Sequence, residues 1–228
     1  MAPHVILSRE DGEGSPGERG EILRFAQDDT AAVTLIDSPV ANTANIARAL
    51  LAAGASLVVT ADPLAVARAS KLVLPGVGSF AAAMRWLRES RIDAAMRGAL
   101  ARGASLLGIC VGHQLLFDAS SEMGSTPGLG LLRGEVRKLE GSLPVPQIGW
   151  NRVRFNGAPL FRGIADGTPF YFVHSYAASG VASEVAAASY GAPFTAAVQQ
   201  DRVFGVQFHP EKSSNAGLQV LRNFVAWR

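Results

Sequence analysis

Apolar positions along the chain change their spacing part-way. From Ala32 to about residue 128, short apolar runs alternate with longer stretches of helical period. Val33-Thr34-Leu35-Ile36 is a run of the buried-strand type that ends at Asp37. Residues 42–53 suit a helix, with Asn42 as its cap and Gly54 as its stop. Ser56 to Thr60 predicts a second strand. Leu72-Val73-Leu74 predicts a third, closed by Pro75-Gly76-Val77-Gly78. Residues 79–102 read as helix with a break near Ser90. Ser105 to Ile109 predicts a fourth strand, and residues 111–119 a helix. Strands alternating with helices imply βαβ units and a parallel sheet covered on both faces.

Beyond residue 128 short β-like runs dominate, at 134–139, 147–154, 169–177, 194–199 and 202–208. They predict an added antiparallel portion and the far strands of the sheet. A last helix, 214–227, has Ser213 or Ser214 as its cap and Leu218, Leu221 and Phe224 along one apolar stripe. The expected class is α/β: an open, mostly parallel sheet flanked by helices, forming one domain over residues 32–228. The first thirty or so residues are different. Residues 9–20, Arg-Glu-Asp-Gly-Glu-Gly-Ser-Pro-Gly-Glu-Arg-Gly, are charged and nearly free of apolar side chains. Such a run cannot offset its ordering entropy by burial, so residues 1–31 are expected to form a disordered leader whose deletion leaves the domain intact.

Composition narrows the function. The net charge is only +2 and no run of Lys and Arg makes a basic stripe, so no nucleic-acid partner is expected. There is no stretch of about 18 uninterrupted apolar residues and no secretory signal pattern, so neither a membrane span nor export is expected. A single cysteine, Cys110, excludes an internal disulfide and a multi-cysteine zinc cage. It fits a reducing, cytoplasmic compartment. No metal and no cofactor are expected.

That cysteine lies in Gly108-Ile109-Cys110-Val111-Gly112-His113-Gln114. A strand runs into it, a helix leaves it, and glycines stand two residues away on both sides. This is the logic of a nucleophile elbow, where small neighbours let the side chain stand clear of the sheet. The helix start favours the thiolate, and the N–H of Val111 is placed to hold an oxyanion. A cysteine nucleophile needs a base, and the base an orienting group. Of the four histidines, His4 falls in the leader and His113 is expected to point away from the turn. His209 ends a strand in Phe208-His209-Pro210-Glu211, and on an extended backbone positions i and i+2 share a face, so Glu211 can hold its ring. Pro75-Gly76-Val77-Gly78 closes a strand where ligands of such sheets gather, and its glycines permit close approach or a flipped peptide.

Together these motifs resemble the class I glutamine amidotransferases. Gly149-Trp150-Asn151, Tyr171-Phe172-Val173-His174-Ser175-Tyr176, Tyr190-Gly191 with Phe194-Thr195-Ala196-Ala197-Val198, and Gly205 through Ser213 narrow the resemblance to glutaminase subunits of imidazole glycerol phosphate synthases, over residues 33–228. The resemblance implies a Cys110–His209–Glu211 triad that hydrolyses glutamine through a thioester. Backbone amides near Val77 and Val111 would hold the oxyanion. Gly78, Gln114, His174, Ser175 and Tyr176 would contact the substrate. It also implies a heterodimer with a (β/α)8-barrel cyclase that uses the ammonia in histidine biosynthesis, with Asn42, Trp150 and Lys212 at or near that partner. Two positions depart from the family pattern. Asp37-Ser38-Pro39-Val40-Ala41-Asn42 lacks its usual Tyr and glycines, and His113 replaces a common Met. Gly-His-Gln is commoner in the anthranilate and carbamoyl phosphate enzymes, which stand as the alternative reading. A fold relative without catalysis, or a cysteine hydrolase of related fold, would differ from both by not releasing ammonia from glutamine.

Overall fold

A computed structural model describes residues 23–25, 32–39 and 42–228. The chain begins with β1 (Leu23–Phe25), β2 (Ala32–Ile36), α1 (Thr43–Ala52), β3 (Ser56–Thr60), α2 (Pro63–Arg68) and β4 (Lys71–Gly76). Next come α3 (Phe80–Glu89), α4 (Ile92–Ala101), β5 (Ser105–Cys110) and α5 (Val111–Gln114). Short strands follow: β6 (Ala119–Ser120), β7 (Thr126–Pro127), β8 (Glu135–Lys138), β9 (Gln147–Arg152) and β10 (Arg154–Phe155). The chain closes with β11 (Pro169–His174), β12 (Tyr176–Ala177), β13 (Glu184–Tyr190), β14 (Ala192–Gln200), β15 (Val203–Val206) and α6 (Ser214–Ala226).

The main sheet has the order β1-β3-β2-β4-β5-β15-β14-β13-β10. Strands β3, β2, β4, β5 and β15 run parallel, while β14, β13 and β10 continue antiparallel on one side. Strands β9 and β11 form a separate antiparallel pair. This is the expected α/β sheet with an antiparallel addition. Every residue of β4 and β5 is buried, as strands covered on both faces require. No helix among the described residues is long and apolar enough to cross a membrane.

Differences from the expected elements have local causes. The helix after Cys110 stops at Gln114 instead of running to 119. Carbonyls of Leu115, Leu116 and Phe117 are captured by the N–H groups of Leu129, Leu131, Leu132 and Gly130, so they no longer accept along a helix axis. The break near Ser90 is present, with Arg91 in the left-handed region at φ 60° between α3 and α4. Helix α2 was not expected, although Asp62 caps it through Leu64 and Ala65 N–H groups and Pro63 occupies its first turn. In α6, Ser213 makes no capping bond and Leu218 is only half-buried, while Val220, Leu221 and Phe224 face the core.

The expected leader also differs in one place. Leu23–Phe25 pairs antiparallel with β3, in register Leu23↔Val59 to Phe25↔Leu57. The rest of residues 1–31 lies outside the described residues. Deleting residues 1–31 removes this edge strand. The expected result is a melting temperature lower by about 2–4 °C, on the order of 1 kcal/mol, with the surroundings of Cys110 intact because β2 and β4 separate β3 from β5. Thermal unfolding of the truncated chain measures it, and an unchanged midpoint would show that β1 adds nothing.

Candidate active site

Three parallel strands deliver the site at their carboxyl ends. In register, Gly76 of β4 lies beside Cys110 of β5, and Ile109 beside Val206 of β15. Cys110 takes φ 55° and ψ −113°, a strained pair for a residue with a side chain, as an elbow nucleophile requires. The flanking glycines make that turn possible. A Cβ on Gly108 would stand 2.5 Å from the Gly112 carbonyl oxygen, and one on Gly112 1.9 Å from the Leu74 oxygen. A Cβ on Gly76 would meet the Gly112 nitrogen at 2.7 Å. Gly78 instead has open space around it and φ +82°. The two glycines of Pro75-Gly76-Val77-Gly78 therefore do different work: one allows close approach, the other an unusual dihedral.

Beyond β15 the chain carries Gln207, Phe208 and His209. The Nδ1 of His209 lies 2.8 Å from Glu211 Oε1, and both side chains are buried. The contact is not made along an extended strand, as the i, i+2 argument expected. Pro210–Lys212 is a 3-10 turn, which folds Glu211 back onto the ring. Ser213 fastens this turn. Its hydroxyl donates to the His209 carbonyl at 2.6 Å and accepts from the Tyr171 N–H at 3.0 Å, while His209 N–H donates to the Tyr171 carbonyl at 2.9 Å.

A cavity of about 330 Å³ gathers Cys110, His209, Val77, Gly78, Val111 and Gln114 with His174, Ser175 and Tyr176. Glu122 and Lys212 also line it. A larger cleft of about 480 Å³, beside β8, is lined by none of Cys110, His209 and Glu211, so the smaller one is the candidate site. His174 lines the cavity, yet both its ring nitrogens are engaged, by the Tyr176 carbonyl and the Gln147 side-chain amide at 3.0 Å each. Trp150 is half exposed and packs edge-on to Tyr171 at 6.0 Å, and the Lys212 ammonium stands 5.8 Å over the same ring. Asn42 is elsewhere: it caps α1 by accepting from Asn45 N–H at 3.4 Å and does not line the cavity.

Sequence reasoning missed Gln207, Glu122, Tyr171 and Ser213. Glu122 accepts from Phe80 N–H at 2.7 Å across 42 residues, which no local pattern signals. Gln207 is fully buried and two residues before His209, a position where a buried amide in an apolar run was the available signal.

Electrostatics separate the three buried histidines. Burial opposes a charge on His209, but hydrogen bonds to Cys110 and Glu211, and the negative charge of both, outweigh it and push its pKa up to about 10. Burial pushes His174 down to about 4, against its Tyr176 hydrogen bond and with the charge of His209 adding to the effect. Burial, reinforced by His174, pushes His113 down to about 3. Neither ring nitrogen of His113 has a partner, and its ring packs edge-on against Phe117 at 5.3 Å. His113 does point away from the reacting centre, and it does so as a neutral core residue.

A profile of the class-I glutamine amidotransferases matches residues 34–227. Over 195 residues the chain is 47% identical to the imidazole glycerol phosphate synthase subunit HisH of Moorella thermoacetica, covering 84% of this chain and 93% of that one. The subunit of the same name from Caulobacter vibrioides is 46% identical over 209 residues, covering 86% and 98%. Among solved structures, one described as a glutamine amidotransferase superposes with a TM-score of 0.68 at 18% identity, over 86% of this chain and 99% of its own. One from Thermotoga maritima gives 0.57 at 19%, over 82% and 79%. The structural likenesses speak for the fold.

His113 has a consequence for pH. Its folded value lies below the ordinary 6.5, so the unfolded chain takes up its proton first as pH falls. The stability associated with its neutral form is complete above pH 6.5 and is lost toward pH 3. His209, shifted upward, has the opposite sign and loses its contribution only as pH rises through about 10. Replacing His113→Met removes the first linkage and the two unpartnered nitrogens. Its gain relative to the parent should be larger at pH 5 than at pH 8, by about 2 kcal/mol. Urea unfolding of both chains at the two pH values checks this, and an equal difference at both would sink it.

Proposed function

Because this chain belongs to the class-I glutamine amidotransferase family, we propose that it hydrolyses glutamine to glutamate and ammonia with Cys110 as nucleophile. The observation that carries this reading is the meeting of Cys110 and the His209–Glu211 pair in one cavity at the ends of β5 and β15. The Cys110 thiolate attacks the side-chain amide carbon, and N–H groups of Val111 and Val77 receive the oxyanion. His209 begins protonated, held so by the thiolate and Glu211, and gives its proton to the departing ammonia. Acylation removes the thiolate and proton transfer removes the charge on His209. The neutral ring then takes a proton from water as the water attacks the thioester, and collapse releases glutamate and restores the thiolate. Gly78, Gln114, Ser175 and Tyr176 line the space left for the substrate. Since both nitrogens of His174 are held, it contributes as a wall and a brace for Tyr176 and not as a base.

The relatives are named as subunits of imidazole glycerol phosphate synthase, which supports a second half to this reading. Ammonia passes to a (β/α)8-barrel cyclase that forms imidazole glycerol phosphate and aminoimidazole carboxamide ribotide in histidine biosynthesis. Val77 and Lys212 line the cavity, Trp150 packs on the Tyr171 ring that Lys212 overlies, and Ile148, Trp150 and Val77 are exposed. Exposed apolar side chains of this kind are what a partner covers. The names of the relatives favour this assignment over the anthranilate and carbamoyl phosphate enzymes, despite His113.

Two experiments test the reading. Cys110→Ala should abolish glutamine-dependent synthesis by the complex while synthesis from free ammonia continues, because the barrel holds the second centre. Synthesis from glutamine that survives in this variant would remove Cys110 from the mechanism.

The oxyanion peptide gives the second test. The isolated chain should turn glutamine over slowly, and cyclase with its nucleotide ligand should raise turnover by roughly 10²–10³, the worth of one oxyanion donor. Gly78 has room for a methyl group but a dihedral that a side chain disfavours. Gly78→Ala should therefore blunt the activation more than it weakens glutamine binding. Gly76→Val should impair the isolated chain as well, since its side chain would strike Val111 and Gly112. Steady-state glutaminase rates with and without cyclase decide both. Full activity without any cyclase would overturn the activation.

A further inference from the structure

The elbow helix is only four residues long, Val111–Gln114. It offers first-turn N–H groups but not the aligned dipoles of a long helix, so side-chain donors beside the Cys110 sulfur matter more. Gln207 is a candidate outside the triad. Its side chain is fully buried, and its Nε2 lies 3.9 Å from Cys110 Sγ. Its Oε1 accepts from Gln114 Nε2 at 2.9 Å, and the same Gln114 nitrogen donates to the Tyr176 carbonyl at 2.7 Å.

These contacts leave one orientation for each amide. The Tyr176 carbonyl can only accept, so Gln114 must turn its nitrogen toward it. Gln207 must then show its oxygen to Gln114 and its nitrogen to the sulfur. The chain of amides runs from the nucleophile through Gln207 to Gln114, whose own oxygen is left for a ligand in the cavity it lines. Other groups near the sulfur titrate. His209 comes from the turn after β15, with Glu211 behind it, and His174 from β11. Glu122 and Lys212 line the cavity, and His113 packs behind α5. Unlike these groups, the Gln207 amide donates at every pH without carrying charge.

Resting on the glutaminase reading, we propose that Gln207 is a positioning residue of the nucleophile, donating its side-chain N–H to the Cys110 sulfur so as to favour the thiolate while its oxygen fixes the orientation of Gln114. A side chain without the donor leaves the thiolate less held. A carboxylate in the same place sets negative charge beside it.

Cys110 is the sole cysteine, so alkylation of the full chain reads this thiol alone. Reaction with iodoacetamide across pH, followed by intact mass, is compared for the parent, Gln207→Met and Gln207→Glu. The expected midpoint pH rises by about one unit for Gln207→Met, which is about tenfold less thiolate at a pH below both midpoints. For Gln207→Glu it rises further. A purely structural role would loosen the core and speed alkylation at every pH without separating the two variants. That result, or midpoints coincident with the parent's, overturns the proposal. If the Met variant does not fold, the nearly isosteric Glu variant carries the test by itself. Glutamine is absent from the assay, so the two readings fail separately. Shifted midpoints in a chain that does not hydrolyse glutamine would keep Gln207's role and sink the glutaminase reading.

Discussion

The Leu74 carbonyl oxygen occupies the space that a side chain on Gly112 would need, 1.9 Å from its Cβ position. This backbone-on-backbone contact between β4 and the start of α5 sets the geometry around Cys110. Gly108 meets Gly112 in the same way across the elbow, and Gly76 closes on Val111 from β4. With three glycines packed there, the turn after β5 is tight enough to force Cys110 to φ 55° and lift its sulfur out of the sheet. The strain of that dihedral persists because the surrounding strands are buried and register-locked on both sides. The same closeness keeps the Val77 and Val111 peptides beside one cavity.

The base is held from a different direction. Strand β15 enters parallel to β5 and stops at Val206, and the next three residues are Gln207, Phe208 and His209. Phe208 stacks on Phe170 at 4.2 Å and contacts Phe172, which pins the backbone just before His209. The 3-10 turn then returns Glu211 to the ring, and Ser213 ties that turn to Tyr171. A buried ion pair is costly unless its remaining groups are matched. Here the imidazolium has the carboxylate on one side and the sulfur on the other, and that double pairing outweighs its desolvation.

Much of this was legible in the order of residues, for physical reasons that differ by element. Central parallel strands announce themselves because both faces are buried, so β2, β4 and β5 are runs of apolar residues. The elbow is legible because its glycines are dictated by contact. Strand β13 was not, since Glu-Val-Ala-Ala-Ala-Ser-Tyr is rich in alanine, a poor strand former. Its pairing along β14 overrides that preference. Helix α5 was over-read because its apolar period continues past Gln114, while the loop at 128–132 takes the carbonyls that would have extended it. Ser213 looked like a helix cap because serine before a helix usually is one, and only the fold shows its hydroxyl accepting from the Tyr171 N–H and donating to the His209 carbonyl. Gly205 reads as part of the His209 motif. In the structure it is the place where a Cβ would strike His113 Nδ1 at 2.4 Å, so one motif glycine makes room for the residue that departs from the pattern.

Strand β11 touches both the outer face beside Trp150 and the surroundings of Cys110 and His209. Tyr171 presents its ring to Trp150 and Lys212 on the outside, while its backbone N–H and carbonyl hold Ser213 and His209 on the inside. Two residues further, the Val173 carbonyl lies 3.8 Å from the Cys110 sulfur. His174 then anchors the strand to Gln147 of β9, the partner strand that carries Trp150 and Ile148. Exposed aromatic and aliphatic side chains on a two-stranded ribbon are unfavourable in water unless something covers them. Whatever covers that ribbon therefore gains apolar contact and, in the same step, bears on the strand whose Val173 carbonyl faces the Cys110 sulfur and whose Tyr171 carbonyl holds the His209 N–H. Both fall on one structural element because β9 and β11 lie outside the main sheet and have only each other as hydrogen-bonded neighbours among the described strands.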